Sequence, residues 1–440
     1  MPVRVAVLFA VLVGMLVTVS SAAAETLPQA LTRAGIPSAE KSTYLTTARK
    51  ARALARRRGG QTGRELRAVL ASATAISKQS TLSPALAGII FRELDANVTY
   101  LTTRGLPRSG TRVRIEGIVY ERYTNQGLRI QPLGTFWAIL EPGKGIAAEG
   151  GVAKALDAAL AIALPAGDSL TLPYLFPWMG QSPTWQSTMA EGVAAAASVR
   201  TWNRSGNEAH LDAGVRFGNA ALVDAIPVDG GGLWFPLYSF APSYRVLNGH
   251  LQTVLAMNDL ADATGDDGFA DAFAQSVLAT KTVLPVYNTG GWGRYAPGAD
   301  APVKYMTLMA SQLKELGAIT GDPEFTAMGE AFSRDLVTPP VVKGPKNRSP
   351  KPVFLRKNRT PQVKVMVTRD KPVTLTIRVL TKAGKPTKVP PIVIGVSSGT
   401  SLVTVKLPRR VGMYRLRASA KDWAGNKVDM VGLIRARVRR

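Results

Sequence analysis

Three short segments constrain this chain more than any other feature. Ser205-Gly206-Asn207, Thr264-Gly265-Asp266 and Thr320-Gly321-Asp322 recur at offsets of 59 and 56 residues. Each is followed by an apolar residue: Leu211, Phe269 and Phe325. Each Gly stands where a helix ends, because glycine takes the left-handed conformation without a Cβ penalty. Each Asn or Asp stands where the next helix needs an N-cap. Asp322-Pro323 adds proline at the first helical position. Between these signals the apolar residues keep a helical stripe: Leu247, Leu251, Val254 and Leu255 in one stretch, Met306, Met309, Ala310, Leu313 and Leu316 in another. A unit of about 56 residues holds two helices and a loop, and stacked hairpins of this kind close into a complete or incomplete α/α toroid.

The pattern differs on either side. Residues 25–105 read as a basic helical region; Lys41–Arg67 alone holds nine basic residues and one acid. Residues 106–144 read as short strands leading into the toroid, around Val113, Ile115, Ile118, Val119 and Leu128–Ile130. The helical domain is placed at 145–336. Residues 337–361 are rich in proline and basic residues, without apolar period, and read as a linker that few contacts should cross. Residues 362–440 alternate apolar and polar in six or seven stretches, the pattern of an immunoglobulin-like β-sandwich.

With no cysteine, a disulfide scaffold, a thiolate metal site and a cysteine nucleophile are excluded. His210 and His250 are the only histidines, so a histidine-rich metal site is not expected. The net charge of +25 is uneven. Residues 1–140 carry 19 basic and 7 acidic residues, 141–330 carry 10 and 19, and 331–440 carry 26 and 4. An anionic partner, such as a cell-wall polymer, therefore belongs with the flanks rather than with the middle. Met1–Ala24 reads as a secretory signal peptide, with Arg4, an apolar run over Val5–Val19 and the small residues Ser21-Ala22-Ala23-Ala24. The expected location is secreted or cell-surface, and the absence of cysteine in an exported chain points to a bacterial source.

Four segments of the middle stand in a fixed order: Trp185–Gly192, Val246-Leu-Asn-Gly249, the loop Leu284–Tyr295 and the helix with Tyr305 and Gln312-Leu313. Through them, roughly Pro183–Leu336 resembles the C-terminal domain of D-glucuronyl C5-epimerases. The resemblance implies inversion of C5 in a uronic-acid residue of an extracellular polysaccharide. It implies catalytic roles for Tyr238, Tyr295 and Tyr305, with Trp234, Asn248, Trp292, Arg294 and Lys304 binding substrate. It implies no metal or nucleotide cofactor. The chain departs from the family where chemistry needs a base and a cation. Leu237 stands in place of the catalytic glutamate, Gly298 in place of an arginine, and Met306 and Met309 in place of two histidines. A non-catalytic glycan- or wall-binding protein on the same scaffold is the alternative these departures imply. A hydrolase would need two facing carboxylates; Glu191, Asp224 and Asp229 are available, and nothing in the sequence pairs them. Trp137 and Trp178 are expected in the core, and His250 as a satisfied structural histidine.

Overall fold

The structure is a computed structural model that describes residues 25–142, 151–345, 350–356 and 358–440. The expected signal peptide lies outside the described residues.

The three Gly-Asn/Asp signals end and begin helices as their chemistry dictates. Helices Thr188–Ser205, Leu247–Thr264 and Val303–Thr320 each stop at a left-handed glycine, with φ of 65°, 67° and 70°. The following helices, Glu208–Val223, Asp267–Val283 and Pro323–Asp335, start from Asn207, Asp266 and Asp322. Each cap side chain accepts from a backbone amide two residues on. In all three turns the hydroxyl of Ser205, Thr264 or Thr320 accepts the cap's own amide. The first helix of each hairpin packs on the first helix of the next, so three parallel helices line an inner row and their partners form an outer one. Gly192 permits this closeness: a Cβ there would stand 2.9 Å from the Cα of Thr253.

Two sequence boundaries move. Helix Pro132–Leu140 packs on Thr188–Ser205 and on Gly151–Leu160. The ring therefore begins at about residue 132 rather than 145. The basic N-terminal helices are not a separate body either. Leu27–Arg33, Ser38–Arg58, Gly60–Ser77 and Pro84–Thr103 share one continuous apolar core with the ring. A three-stranded antiparallel sheet, Arg112–Ile115, Ile118–Tyr123 and Gly127–Ile130, joins the two. Beside it, fully buried Arg129 donates to Glu93 at 2.8 Å, and Glu93 accepts the Ile130 amide at 2.7 Å.

The expected linker is a correction of another kind. Val342–Lys343 pairs with Gln362–Arg369, and Lys351–Phe354 runs parallel to Lys427–Arg439. Both strands lie at sheet edges, where a proline-rich segment loses nothing by its missing amides. The C-terminal region is β-rich: a three-stranded and a five-stranded sheet share one apolar cluster. Many contacts reach from it to the ring. Asn426 donates to the Leu336 carbonyl at 2.8 Å, and Ser398 donates to Asp300 through its amide and its hydroxyl. Lys371, 1% exposed, donates to the carbonyls of Asp335 and Thr338, sits 3.7 Å from Asp422 and lies over the Trp292 ring at 5.7 Å. Replacing Lys371 with methionine will leave Asp422 buried without its cation and free the end carbonyls of the last helix. The expected loss is about 3 kcal/mol, with the β region melting below the ring by calorimetry; a melting curve the same as that of the unaltered chain would refute this clamp.

Candidate active site

The loops that leave the outer helices, residues 224–246 and 284–302, carry the aromatic residues to one end of the inner row. Tyr295 follows a glycine-rich turn on the short strand Arg294–Ala296, and Tyr305 lies on the first turn of Val303–Thr320. Their rings stand 5.0 Å apart. Tyr244 meets Tyr295 edge-on at 6.3 Å. Tyr238 shares an apolar cluster with Tyr244, Tyr295, Leu237, Met189 and Trp137. The ammonium of Lys304 lies 4.6 Å from the centre of the Tyr305 ring.

Burial, then the neighbouring Tyr238, Tyr305 and Tyr244, push the Tyr295 phenol far above its ordinary range. Burial also raises Tyr238, with Tyr244 and Tyr305 adding to it and the Trp178 indole working the other way. Phenols held this way stay protonated at neutral pH. They are hydrogen-bond donors for an anion rather than bases.

The tryptophans exchange the roles expected of them. Trp234 is fully buried, stacked on His250 at 3.8 Å, and cannot reach a sugar. Trp292 is fully buried too, its indole donating to the Ala301 carbonyl at 2.8 Å. Trp178, expected in the core, is 36% exposed, edge-on to Tyr123 at 6.1 Å. Trp137 is half-buried beside the tyrosines. His250 is structural, as expected. Its Nδ1 accepts the Phe235 amide and its Nε2 meets the Thr280 hydroxyl. Burial lowers its pKa to about 3, so the ring is neutral.

Two further candidates lie elsewhere. The Arg294 guanidinium turns away from the cleft to the Val286 carbonyl at 2.9 Å. It lines a cavity of about 480 Å³ with Lys343 and Arg369, between ring and β region. Asn248 is buried beneath the cleft, its amide 3.9 Å from the Met189 sulfur and its Oδ1 without a partner.

Sequence reasoning missed Tyr244 and Tyr123. The signal for Tyr244 was its place just before the helix of Asn248. Tyr123 comes from the N-terminal sheet, where no local pattern points to the ring. Its ring lies 4.7 Å from Phe176, and its hydroxyl accepts from Gln131 at 2.8 Å. On the same sheet Arg112 pairs with Glu121 at 2.7 Å. A Cβ added at Gly134, next to Leu133 of the cleft, would stand 3.6 Å from the Arg112 guanidinium carbon.

Glu191, one of the three carboxyls a hydrolase could use, is not in the cleft. Glu191 is fully buried, and no side chain partners either oxygen. Burial and then nearby Asp224 drive its pKa well up. An acid closed off from solvent cannot flank a glycosidic bond.

Comparison with known proteins gives the ring a context. Residues 174–334 match the family model described as D-glucuronyl C5-epimerase C-terminus. This span contains Tyr238, Tyr244, Tyr295 and Tyr305. An uncharacterised protein of Methanocaldococcus jannaschii is 27% identical over 161 residues, 33% of this chain and 51% of that protein. The chain thus spans about half the length of this curated relative. Among solved structures, a GH76 α-mannanase of Bacteroides thetaiotaomicron aligns at 14% identity with a TM-score of 0.36, over 47% of this chain and 61% of that one. A sugar epimerase from a ruminal bacterium aligns at 14% identity with a TM-score of 0.33, over 47% and 59%. At these scores neither likeness speaks to reaction or substrate.

Proposed function

We propose that the tyrosine cleft binds a uronic-acid residue of an extracellular polysaccharide, on a C5-epimerase scaffold that has lost most of its proton-abstracting power. The observation that carries this reading is the convergence of Tyr238, Tyr244, Tyr295 and Tyr305 under Lys304. A uronate presents one carboxylate. Removing the proton at C5, α to that carboxylate, builds a second negative charge as an ene-diolate. Protonated phenols and an ammonium are the donors such an anion needs. Inversion also needs a base on one face and a proton donor on the other. The phenols supply the donor. At the position where the family resemblance places the base stands Leu237, 7% exposed among apolar neighbours. Binding is therefore retained while exchange at C5 is slow, and activity of the isomerase type is residual. We place the protein outside a bacterial cell, on the strength of Met1–Ala24, and read its β-rich region as an immunoglobulin-like module.

The test is carboxylate-dependent binding. A glucuronate-containing oligosaccharide and its carboxyl-reduced counterpart are titrated while the ring resonances of the cleft tyrosines are followed. Only the uronate should shift them at low concentration. Lys304→Ala should weaken it about tenfold, the loss of roughly 1.4 kcal/mol from a charge-assisted contact. Equal response to both sugars would remove the uronate from the proposal.

A further inference from the structure

The solvent face of the five-stranded sheet carries a row of arginines opposed to one another. Arg415 lies directly across from Arg435, and Arg378 directly across from Arg417. Arg437 and Arg439 continue the row on the last strand, Lys427–Arg439. All six are exposed, and they alternate with buried Tyr414, Leu416, Ala418, Ala436 and Val438. Among the described residues no acidic side chain pairs with any of them. The one side-chain hydrogen bond in the group is Arg378 donating to the Ser419 hydroxyl at 3.3 Å. Asp429 stands with Lys421 and Lys427 in the adjoining groove, which Ser419 also lines.

Like charges directly opposite on a sheet are destabilising. A sheet needs only polar residues on its solvent face, and alternating signs would stabilise it. Two like-charged arginine pairs side by side, with no acid among them, are a cost with no structural return. The cost disappears when an anion lies across them. The guanidinium is the group suited to this, because its planar fork takes a carboxylate or sulfate through two parallel hydrogen bonds.

The ligand's shape follows from the sheet. Neighbouring strands are about 4.8 Å apart, so a patch across these three strands extends about 10 Å in that direction. Three of the six run along the last strand and the other three lie on the next two strands of the sheet, which makes a broad exposed patch. That geometry fits a linear polymer with repeated negative groups. At the sheet edge Phe354 is 58% exposed and in register with Arg439, and it offers an aromatic face at the end of the row. We infer that the Arg378–Arg415–Arg417–Arg435–Arg437–Arg439 face is a second binding site, which holds an anionic polysaccharide chain by its carboxylate or sulfate groups. The choice of polysaccharide over other polyanions rests on the uronate reading of the cleft. The site would keep the polymer on the protein while the cleft handles one residue of it.

The experiment uses the full chain, with heparin, a double-stranded DNA oligonucleotide and phosphatidylglycerol vesicles as probes. Arg415→Ser/Arg417→Ser/Arg435→Ser should weaken heparin binding at least tenfold and reduce its salt dependence. Without ligand at low salt, the same variant should melt higher than the unaltered chain, because the opposed charges are gone. Heparin should raise the melting temperature of the unaltered chain and not that of the variant. The matching lysine variant, which keeps charge but not the fork, should fold like the parent and lose part of the affinity. Response of the cleft tyrosines to a uronate oligosaccharide should be the same in all three, so failure here is distinct from failure of the cleft. Undiminished heparin binding by the serine variant would overturn the site. Equally tight, equally arginine-dependent binding of DNA or vesicles would overturn its assignment to a polysaccharide.

Discussion

Replacing Leu237 with glutamate will raise the rate of proton exchange at C5 of a bound uronate by 10²–10⁴-fold, the range that a positioned general base contributes. Leu237 lies between Tyr238 and the floor formed by Met189 and Gly249, its Cδ1 3.2 Å from where a Cβ on Gly249 would stand. Glutamate has nearly the same reach, so it fits without displacing the inner helices. Its surroundings would lift its pKa toward neutrality through desolvation, which suits a base that must both take and release a proton. The expected signature is a higher exchange rate with little change in affinity, because the group acts in the transition state rather than in binding. Leu237→Gln, the same shape without the base, should stay as slow as the unaltered chain. A Leu237→Glu protein that folds and binds but exchanges no faster would show that more than the carboxylate is missing.

Arg129→Ala will destabilise the protein by about 3–5 kcal/mol, the usual loss when one partner of a buried ion pair is removed. Arg129 has no exposed surface. It donates to Glu93 at 2.8 Å, to Ser72 at 3.1 Å and to the Leu175 carbonyl at 3.4 Å, and its guanidinium lies over the Phe176 ring. One side chain thus ties two N-terminal helices, the sheet and the aromatic loop that leads to Trp178. Burial pushes the Glu93 carboxyl up, against the pull of Arg129 and the Ile130 amide. Without Arg129 it will protonate, which limits the loss but does not recover the bonds. The double replacement Arg129→Met/Glu93→Leu should cost much less, since two apolar groups leave no charge behind. Urea unfolding of the three chains distinguishes these outcomes. A single mutant within about 0.5 kcal/mol of the parent would mean that this buried pair does not join the N-terminal helices to the ring.

What could be read in advance followed from the range of the forces involved. The three hairpin turns were legible because a left-handed glycine, an Asx cap and a hydroxyl that accepts the cap's amide all act within a few residues. The alternation Val363, Val365, Val367 against Gln362, Lys364 and Met366 was legible for the same reason, since the period of a strand needs no partner to be seen. The strands in the proline-rich segment were not: Lys351–Phe354 is a strand only because Lys427–Arg439, some eighty residues on, offers it an edge. Lys371 reads as one more surface lysine until the end of the last helix and Asp422 close over it. In the site, the tyrosines could be placed from their motifs, but the tryptophans could not. Whether an indole faces a ring of helices or the solvent depends on packing between loops. Trp234 is inward because His250 stacks on it, and Trp178 is outward because Phe176 and Trp185 fill the space behind it. The place of Tyr123 beside Phe176 and Trp178 was invisible because it comes from the N-terminal sheet.

The most direct measurement is deuterium incorporation at C5 when the unaltered chain is incubated with a glucuronate-containing polysaccharide in deuterated water. The account predicts that the polysaccharide binds, that its chains stay intact, and that label at C5 accumulates at least a hundredfold more slowly than with the Leu237→Glu protein. Rapid labelling by the unaltered chain would mean that a base exists where none has been placed. Shortened chains would mean that the cleft breaks glycosidic bonds, and either result would contradict the account.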